Sequence, residues 1–169
     1  MSRSHPSRSL LPRARHLVPT GLLTAAAAAA GTVATRQGVD SDWFERLDKP
    51  DFFPPRWAFP VAWTALYADI AATSAAALDE LPEEERRALW RALTVNLGLN
   101  AAWCWVFFAR REVALSVPVV AALTLSSAGL VRRVGRARRR YALALLPYPA
   151  WCAFATALSG AISARNPED

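Results

Sequence analysis

Histidine, methionine and cysteine are scarce in this chain of 169 residues. The only histidines are His5 and His16 and the only methionine is Met1, and all three precede the first apolar segment. We therefore do not expect a haem iron held by a histidine or methionine within a membrane. Cys104 and Cys152 lie in apolar segments without CxxC spacing, so they are predicted to be buried small hydrophobes rather than a disulfide or metal site.

Motifs of the common enzyme classes are also missing. The chain contains no P-loop, no GxGxxG after a strand and no recognisable Ser-His-Asp set. It also lacks an internal repeat of 20 to 50 residues and a glycine-serine linker, which indicates a single domain. We therefore expect a binding protein rather than an enzyme, with no catalytic residue, no metal ligand and no obligatory cofactor.

Long stretches of the chain lack charge, although 20% of all residues are charged. A transmembrane helix needs about 20 mainly apolar residues, and residues 141–164 carry no charge at all. We predict an all-α integral membrane protein, a compact bundle of five transmembrane helices with a long aromatic loop between the first two. The predicted helices cover approximately residues 17–35, 58–78, 90–109, 113–131 and 141–164. Short connections predict that successive helices are antiparallel neighbours, and prolines near the start of the fifth predict a kink or a late helix start.

The first apolar segment has two interpretations. An arginine-rich start, an alanine-rich stretch and the run Ala28-Ala29-Ala30-Gly31 resemble a cleavable signal peptide. The alternative, which we favour, is a retained helix that follows a basic, disordered tail at residues 1–16. Cleavage would leave four helices and make the aromatic loop the mature N-terminus.

The basic residues indicate the orientation in the membrane. Net charge is +6, and most arginines lie before the first predicted helix, between the second and third, and between the fourth and fifth. The positive-inside rule then predicts a cytoplasmic N-terminus and an external C-terminus, in a bacterial cell membrane. This distribution accounts for the positive net charge of the chain. We therefore do not expect nucleic acid as a partner. The run 132–140 has two interpretations, a topology signal or a site for anionic lipid head groups.

A loop dense in aromatics and prolines joins the first two predicted helices. It runs from Trp43 to Tyr67 and reads WFERLDKPDFFPPRWAFPVAWTALY. Tryptophan and tyrosine favour a membrane boundary, and four prolines prevent a regular helix or inner strand before Pro60. We therefore predict a stiff aromatic lid that lies against an apolar surface.

Three polar side chains are predicted to lie within the membrane. Asn96 and Asn100 share one face of the third helix, where they would either bond other helices or anchor a ligand. Asp69 lies near the middle of the second helix, where an ionised carboxylate costs at least ~2.5 kcal/mol. We expect it to pair with Asn96 or Asn100 inside the bundle, with proton coupling as the alternative.

Four ordered motifs carry a family resemblance. They are WFxxLxKP at 43–50, PPRW with WTxLY at 54–67, NLGLNxxW with FF at 96–108, and PYxAWxAFATxL at 147–158. Together they resemble the TspO/MBR family, the tryptophan-rich sensory and translocator proteins also called peripheral-type benzodiazepine receptors, over residues 17–166. The resemblance implies five transmembrane helices, a homodimer, and a pocket beneath the first loop that binds tetrapyrroles such as porphyrins.

The resemblance also implies which residues contact the ligand. Lys49 or Arg56 would meet propionates, and the lack of a core histidine favours a metal-free porphyrin. The motifs predict as pocket residues Trp57, Trp63, Tyr67, Asn100, Trp103, Trp151, Ala155 and Leu158. The chain departs from the family pattern at Phe52, where a tryptophan is usual, at Pro60, and at Ser159 and Ser163.

Three functions remain open at this point. The first is a membrane receptor or sensor for porphyrins that transports its ligand or regulates porphyrin homeostasis under stress. The second is light-dependent porphyrin degradation with indoles as electron donors. The third is a small transporter or membrane assembly subunit, for which Asp69 is the main argument.

Overall fold

A computed structural model describes residues 15–168. Within this range the chain is helical and contains no strand. The helices are α1 Leu17–Val39, α2 Asp42–Arg46, α3 Ala58–Glu80, α4 Glu83–Cys104 with a π-helical turn Trp105–Ala109, α5 Val113–Ala137, α6 Arg139–Leu145 and α7 Pro147–Arg165. The predicted basic tail lies almost wholly outside the described residues.

Five helical segments are long and apolar enough to cross a bilayer. They are α1, α3, α4 with its π turn, α5, and α6 together with α7. The predicted all-α bundle of five transmembrane helices is thereby confirmed, and the first segment is one of the five. The structure extends three helices by four residues or more beyond the predicted bounds. α1 ends at Val39 rather than residue 35, α4 begins at Glu83 rather than residue 90, and α5 ends at Ala137 rather than residue 131.

The early start of α4 has a local cause. Three glutamates occupy its first turn, where carboxylates favour the positive end of the helix dipole. Glu83 forms ion pairs with Arg86 at 2.7 Å and Arg87 at 2.9 Å. The Arg86 guanidinium also donates to the carbonyls of Leu78 and Leu81 at the end of α3. One arginine therefore joins two consecutive helices outside the apolar segment.

The five transmembrane segments form a closed ring. α1 packs against α3 and α4, while α5 packs against α4 and α7, and α3 also meets α5, α6 and α7. The order around the ring is therefore first, second, fifth, fourth, third. α3 and α4 are successive but contact each other much less than each contacts α1, so the prediction that all successive helices are neighbours is wrong for this pair.

Small residues bring α1 close to α4 and its π turn. A Cβ added at Gly31 would lie 3.2 Å from the sulfur of Cys104. A Cβ added at Gly38 would lie 2.7 Å from the Cβ of Phe108 and 2.8 Å from its carbonyl oxygen. Close approach through glycine is the usual means of helix association in a membrane, because lipid supplies no hydrophobic drive. Thr20 adds a hydrogen bond to the Ala71 carbonyl of α3 at 3.0 Å.

The loop between α1 and α3 is more ordered than its prolines predict. Ser41 caps the short helix α2 by accepting from the Phe44 amide, so this part of the predicted irregular lid is helical. The loop is fastened to the end of α7 by Asn166, which accepts from the Asp48 amide and donates to the Asp48 carbonyl, both at 3.0 Å. We call this pair of bonds the Asn166 clamp.

Prolines divide the fifth transmembrane segment as predicted. α6 ends at Leu145 and α7 begins at Pro147. Pro147 and Pro149 lack the backbone donor that would continue the hydrogen-bond ladder, while the first turn of a new helix tolerates this loss. The break sets the start of α7, which carries Trp151 and Leu158 towards the interior.

Candidate functional site

A cavity of about 340 Å³ lies inside the bundle at the end covered by the loop. This volume is within the range of small-molecule sites, ~300–1,000 Å³. Six of the predicted pocket residues line it, namely Trp63, Tyr67, Trp103, Trp151, Ala155 and Leu158. Arg56, predicted as a propionate contact, lines it as well. Four transmembrane segments and the loop therefore share one site, although contact of these residues with a ligand stays a prediction.

Three indoles in mutual contact line the cavity. The ring centroid of Trp63 lies 6.2 Å from that of Trp103 and 6.5 Å from that of Trp151, with the latter pair perpendicular. Tyr67 lies 5.5 Å from Trp63, which extends the aromatic wall along α3. Such an arrangement offers both faces and edges to a flat, conjugated ligand.

Tyr67 and Asn100 form the polar part of the inner wall. The Tyr67 hydroxyl donates to Asn100 Oδ1 at 2.6 Å. Asn100 is fully buried behind Tyr67 and does not itself line the cavity. Among the described residues, Asn100 Nδ2 and Trp103 Nε1 are buried donors without a hydrogen-bond partner. Since an unpaired buried donor costs ~1–3 kcal/mol, both favour a nearby acceptor oxygen.

Cationic side chains stand at the mouth of the cavity. The exposed Arg36 of α1 lines the cavity, as Arg56 does, and sequence reasoning missed it. Arg56 lies 3.6 Å from Glu45 in an exposed ion pair. Lys49 does not line the cavity, because its ammonium donates to the carbonyls of Phe44 and Leu47.

Burial lowers the pKa of Lys49, and the neighbouring Arg56 guanidinium lowers it further. The ammonium also lies 4.6 Å from the centroid of the Phe44 ring. Lys49 therefore serves to fold the loop, and of the two predicted propionate contacts only Arg56 lines the cavity.

Two loop aromatics point away from the site. Trp57, a predicted pocket residue, is 68% exposed and does not line the cavity. Phe52, where the family usually has tryptophan, is 51% exposed and touches Phe154 edge-on at 6.3 Å between centroids. The loop instead covers the cavity with Phe44 and Phe53, whose rings pack at 6.2 Å.

The predicted pairing of Asp69 with an asparagine is wrong. Asp69 Oδ1 accepts from the Thr73 hydroxyl at 2.7 Å, one turn along the same helix. Asn96 instead accepts from Tyr148 at 2.7 Å and donates to Ser126 at 3.2 Å. Asp69 is half-buried beside exposed alanines of α3. Asn96 and Tyr148 thus join α4, α5 and α7 in the interhelical role considered for the asparagines.

Sequence reasoning missed several wall residues. Phe107 and Phe108 were within a recognised motif but were not assigned to the pocket, and Phe154 shares the α7 stripe with Trp151. The α1 wall was missed altogether. Its signal is a set of small and polar residues at intervals of three and four, seen at Ala28, Gly31, Thr32, Thr35, Arg36 and Val39.

The donor set of the cavity is poor in metal ligands. Residues 15–168 contain no group of three or more histidine, cysteine or acidic residues able to hold a metal ion. His16, the one histidine in this range, lies at the opposite end, where its Nδ1 is 2.5 Å from Asp79 Oδ1. Imidazole and thioether ligands are therefore missing from the described cavity wall, although the thiol of Cys104 lines it.

Comparison with known proteins decides the family. The family model described as TspO/MBR family matches residues 20–165. The chain belongs to the TspO/MBR family. It is a multi-pass integral membrane protein of the sensory and translocator type.

TspO/MBR relatives from all three domains of life match this chain along most of their length. It is 32% identical to the tryptophan-rich sensory protein of Cereibacter sphaeroides, over 78% of this chain and 83% of that protein. It is 32% identical to the tryptophan-rich protein TspO of Archaeoglobus fulgidus, over 89% and 96%. It is 31% identical to the human translocator protein, over 69% and 70%.

Proposed function

We propose that this TspO/MBR protein is a membrane receptor that binds a metal-free porphyrin in its aromatic cavity. The observation that carries the proposal is the combination of three indoles around the cavity with two arginines at its mouth. A flat macrocycle stacks on indole rings, while its propionates reach Arg36 and Arg56. In the cell, binding would sense porphyrin, or move it across the membrane, as part of porphyrin homeostasis under stress.

The inner wall supports an oriented ligand. Within residues 15–168, Trp103 Nε1 and Asn100 Nδ2 both lack an acceptor, and Tyr67 links the cavity surface to Asn100. Trp103 lines the cavity, so an imine-type nitrogen of a free-base porphyrin would accept the hydrogen bond of Trp103 Nε1. A purely hydrocarbon ligand would leave Trp103 Nε1 unpaired, so the site favours heteroaromatic ligands.

A titration with protoporphyrin tests the proposal. Tryptophan fluorescence of the purified protein should be quenched saturably, and Trp151→Ala should weaken binding about tenfold because one stacking face is lost. Trp105→Ala is the matched control, since Trp105 is 42% exposed and does not line the cavity. Equal affinities for Trp151→Ala and the parent would refute the assignment of the cavity.

The role of the arginines is tested with a second ligand. Arg36→Gln and Arg56→Gln should each weaken protoporphyrin binding about two- to fivefold, a range typical of exposed ion pairs. Neither change should affect binding of protoporphyrin dimethyl ester, which carries no carboxylate. If both ligands lose affinity equally, the arginines shape the mouth without meeting propionates.

Light-dependent porphyrin degradation is a second candidate, favoured by the close set of three indoles. Illumination of the complex should then destroy porphyrin faster than illumination of free porphyrin and yield a distinct product. Equal rates would exclude it. Transport coupled through Asp69 has less support, because Asp69 does not line the cavity and bonds only to Thr73 among the described residues.

We also propose a cytoplasmic N-terminus, an external C-terminus and a homodimer in the bacterial cell membrane. The positive-inside rule supports the orientation, since arginines cluster at the end of the bundle that lies opposite the aromatic loop. A membrane-impermeant thiol reagent should label a cysteine introduced at Asp51, in the loop, from outside intact cells. Labelling only after lysis would indicate the opposite orientation. A monomeric mass in mild detergent would exclude the homodimer.

A further inference from the structure

A second cleft lies on the outer surface of the bundle, between α4 and α5. Its volume is about 420 Å³, and it is separate from the aromatic cavity. Ala88 and Ala92 of α4 and Gly129 of α5 form its small-residue floor, and Arg91 and Arg133 stand on either side. No acidic residue within 15–168 lines it. The cleft is therefore a cationic, partly apolar groove of unassigned function.

The two arginines of this cleft have no partner in the part of the chain that the structure describes. In residues 15–168, neither Arg91 nor Arg133 forms an ion pair or a side-chain hydrogen bond, whereas Arg86 and Arg87 pair with Glu83. A guanidinium presents a planar set of donors that matches the oxygens of a phosphate. Two such groups facing one cleft from different helices favour an anion between them.

The cleft extends from the end of the bundle towards the membrane interior. With a rise of 1.5 Å per residue, Arg91 lies about 12 Å from the start of α4 and Arg133 about 6 Å from the end of α5. Val95 is about 6 Å deeper than Arg91, and Ser126 about 10 Å deeper than Arg133. The charged part thus lies near the headgroup region, and the deeper part lies among acyl chains.

The inner part of the cleft is open and weakly polar. A Cβ added at Gly129 would meet no atom within 4 Å, so the floor leaves free space there. Val95 is exposed at this face. Ser126 accepts from Asn96 Nδ2, which leaves its hydroxyl proton available to a ligand oxygen. An acyl chain with an ester near its head would satisfy all three features.

We propose that this cleft binds one anionic phospholipid, with its phosphate between Arg91 and Arg133 and an acyl chain over Val95 and Gly129. The proposal does not depend on the ligand of the aromatic cavity. A lipid fits better than a free phosphate, because the apolar floor continues inward from the arginines. Charge complementarity and the depth of the groove commit the site to the bilayer leaflet at the end of the bundle where α4 begins and α5 ends.

Native mass spectrometry of the protein in mild detergent tests this site. We expect one retained phosphatidylglycerol in preference to phosphatidylcholine. Arg91→Gln with Arg133→Gln should weaken retention roughly 30-fold, about fivefold for each arginine near an anionic surface. The matched control is Arg132→Gln with Arg136→Gln, which removes the same charge from exposed positions outside the cleft and should retain the lipid.

A steric variant separates the cleft from general electrostatics. Gly129→Leu places a side chain over the open floor, where its Cβ meets no atom within 4 Å, and removes a glycine from a helix, so the protein should fold and lose the bound lipid. The proposal is overturned if both arginine pairs lose lipid equally, or if Gly129→Leu retains it. It is also overturned if inorganic phosphate displaces the lipid at equal concentration, or if Gly129→Leu converts a dimer to a monomer, since a second copy would then occupy the cleft.

Discussion

Gly38→Ala should destabilise the bundle, although alanine favours helices. The added Cβ would lie 2.7 Å from Phe108 Cβ, 2.8 Å from its carbonyl oxygen and 2.9 Å from its Cα. Carbon atoms in contact normally lie ~3.5–4.0 Å apart, so α1 and the π turn must separate by nearly 1 Å. Two of the three opposing atoms belong to the backbone, which means that no side-chain rotation relieves the clash.

The expected size follows from two opposing effects. Overpacking of this kind costs ~1–3 kcal/mol, whereas replacing glycine by alanine in a helix contributes ~1 kcal/mol of stabilisation. The net loss is therefore about 1 kcal/mol, which lowers the thermal midpoint by ~2–4 °C for a chain of this size.

The assay is thermal unfolding in detergent, followed by near-ultraviolet circular dichroism. Gly21→Ala is the control on the same helix, because a Cβ there meets nothing within 4 Å, and its midpoint should rise. Gly38→Ala should also weaken porphyrin binding, since α1 and Phe108 are two walls of one cavity. A midpoint for Gly38→Ala equal to that of Gly21→Ala would refute the close approach of α1 to the π turn.

Three further predictions follow from hydrogen bonds. Asn166→Ala removes both bonds of the Asn166 clamp to Asp48, so proteolysis within the loop should become several-fold faster, as two bonds of ~0.5–1.5 kcal/mol are lost. Tyr148→Phe leaves Asn96 Oδ1 buried without its donor and should cost ~1–3 kcal/mol, measured as a lower thermal midpoint. Asp69→Asn should leave porphyrin affinity unchanged in the fluorescence titration and should not lower stability, because it removes an ionisable group from the apolar layer.

Each of these predictions has a contrary outcome. Unchanged proteolysis in Asn166→Ala would mean that the loop is held without its clamp to α7. An unaltered midpoint in Tyr148→Phe would mean that water or another donor reaches Asn96; Tyr141→Phe, at an exposed bond to Glu80, is the control with little expected effect. Loss of affinity in Asp69→Asn would bring this carboxyl back into the mechanism.

The sequence was sufficient for the number of transmembrane segments and for the three indoles and Tyr67 of the cavity wall. The length of an apolar stretch indicates whether it can cross the bilayer, and aromatics at helical spacing on α7 indicate that they share one face of the helix. Helix ends were harder to predict from the sequence, because a charged helix continues into water without a break in its backbone hydrogen bonds. Glu83 and Arg86 made α4 begin outside the apolar region, where hydrophobicity carries no signal.

Which side chains meet depends on the order of the helices in the ring and on how each helix is rotated about its own axis. Composition reveals neither. Asp69 and Asn96 lie on neighbouring segments in sequence, yet the second and third segments are largely separated by the first. Arg36 was missed for the same reason, since only the packing of α1 against α4 brings it to the mouth of the cavity. Trp57 had a tryptophan motif in its favour but lies one residue before α3, where its side chain is exposed.

The π turn makes the shape of the cavity depend on the number of residues within the turn. Within it the Arg110 amide donates to the Trp105 carbonyl, five residues back, so the turn accommodates one residue more than an α-helical turn. Deleting a single residue between 105 and 109 would restore regular winding and rotate the following positions by ~100°. Phe107 or Phe108 would then leave the wall, whereas the bundle around it would persist. A related chain that lacks one residue in this turn should therefore have a cavity of different shape.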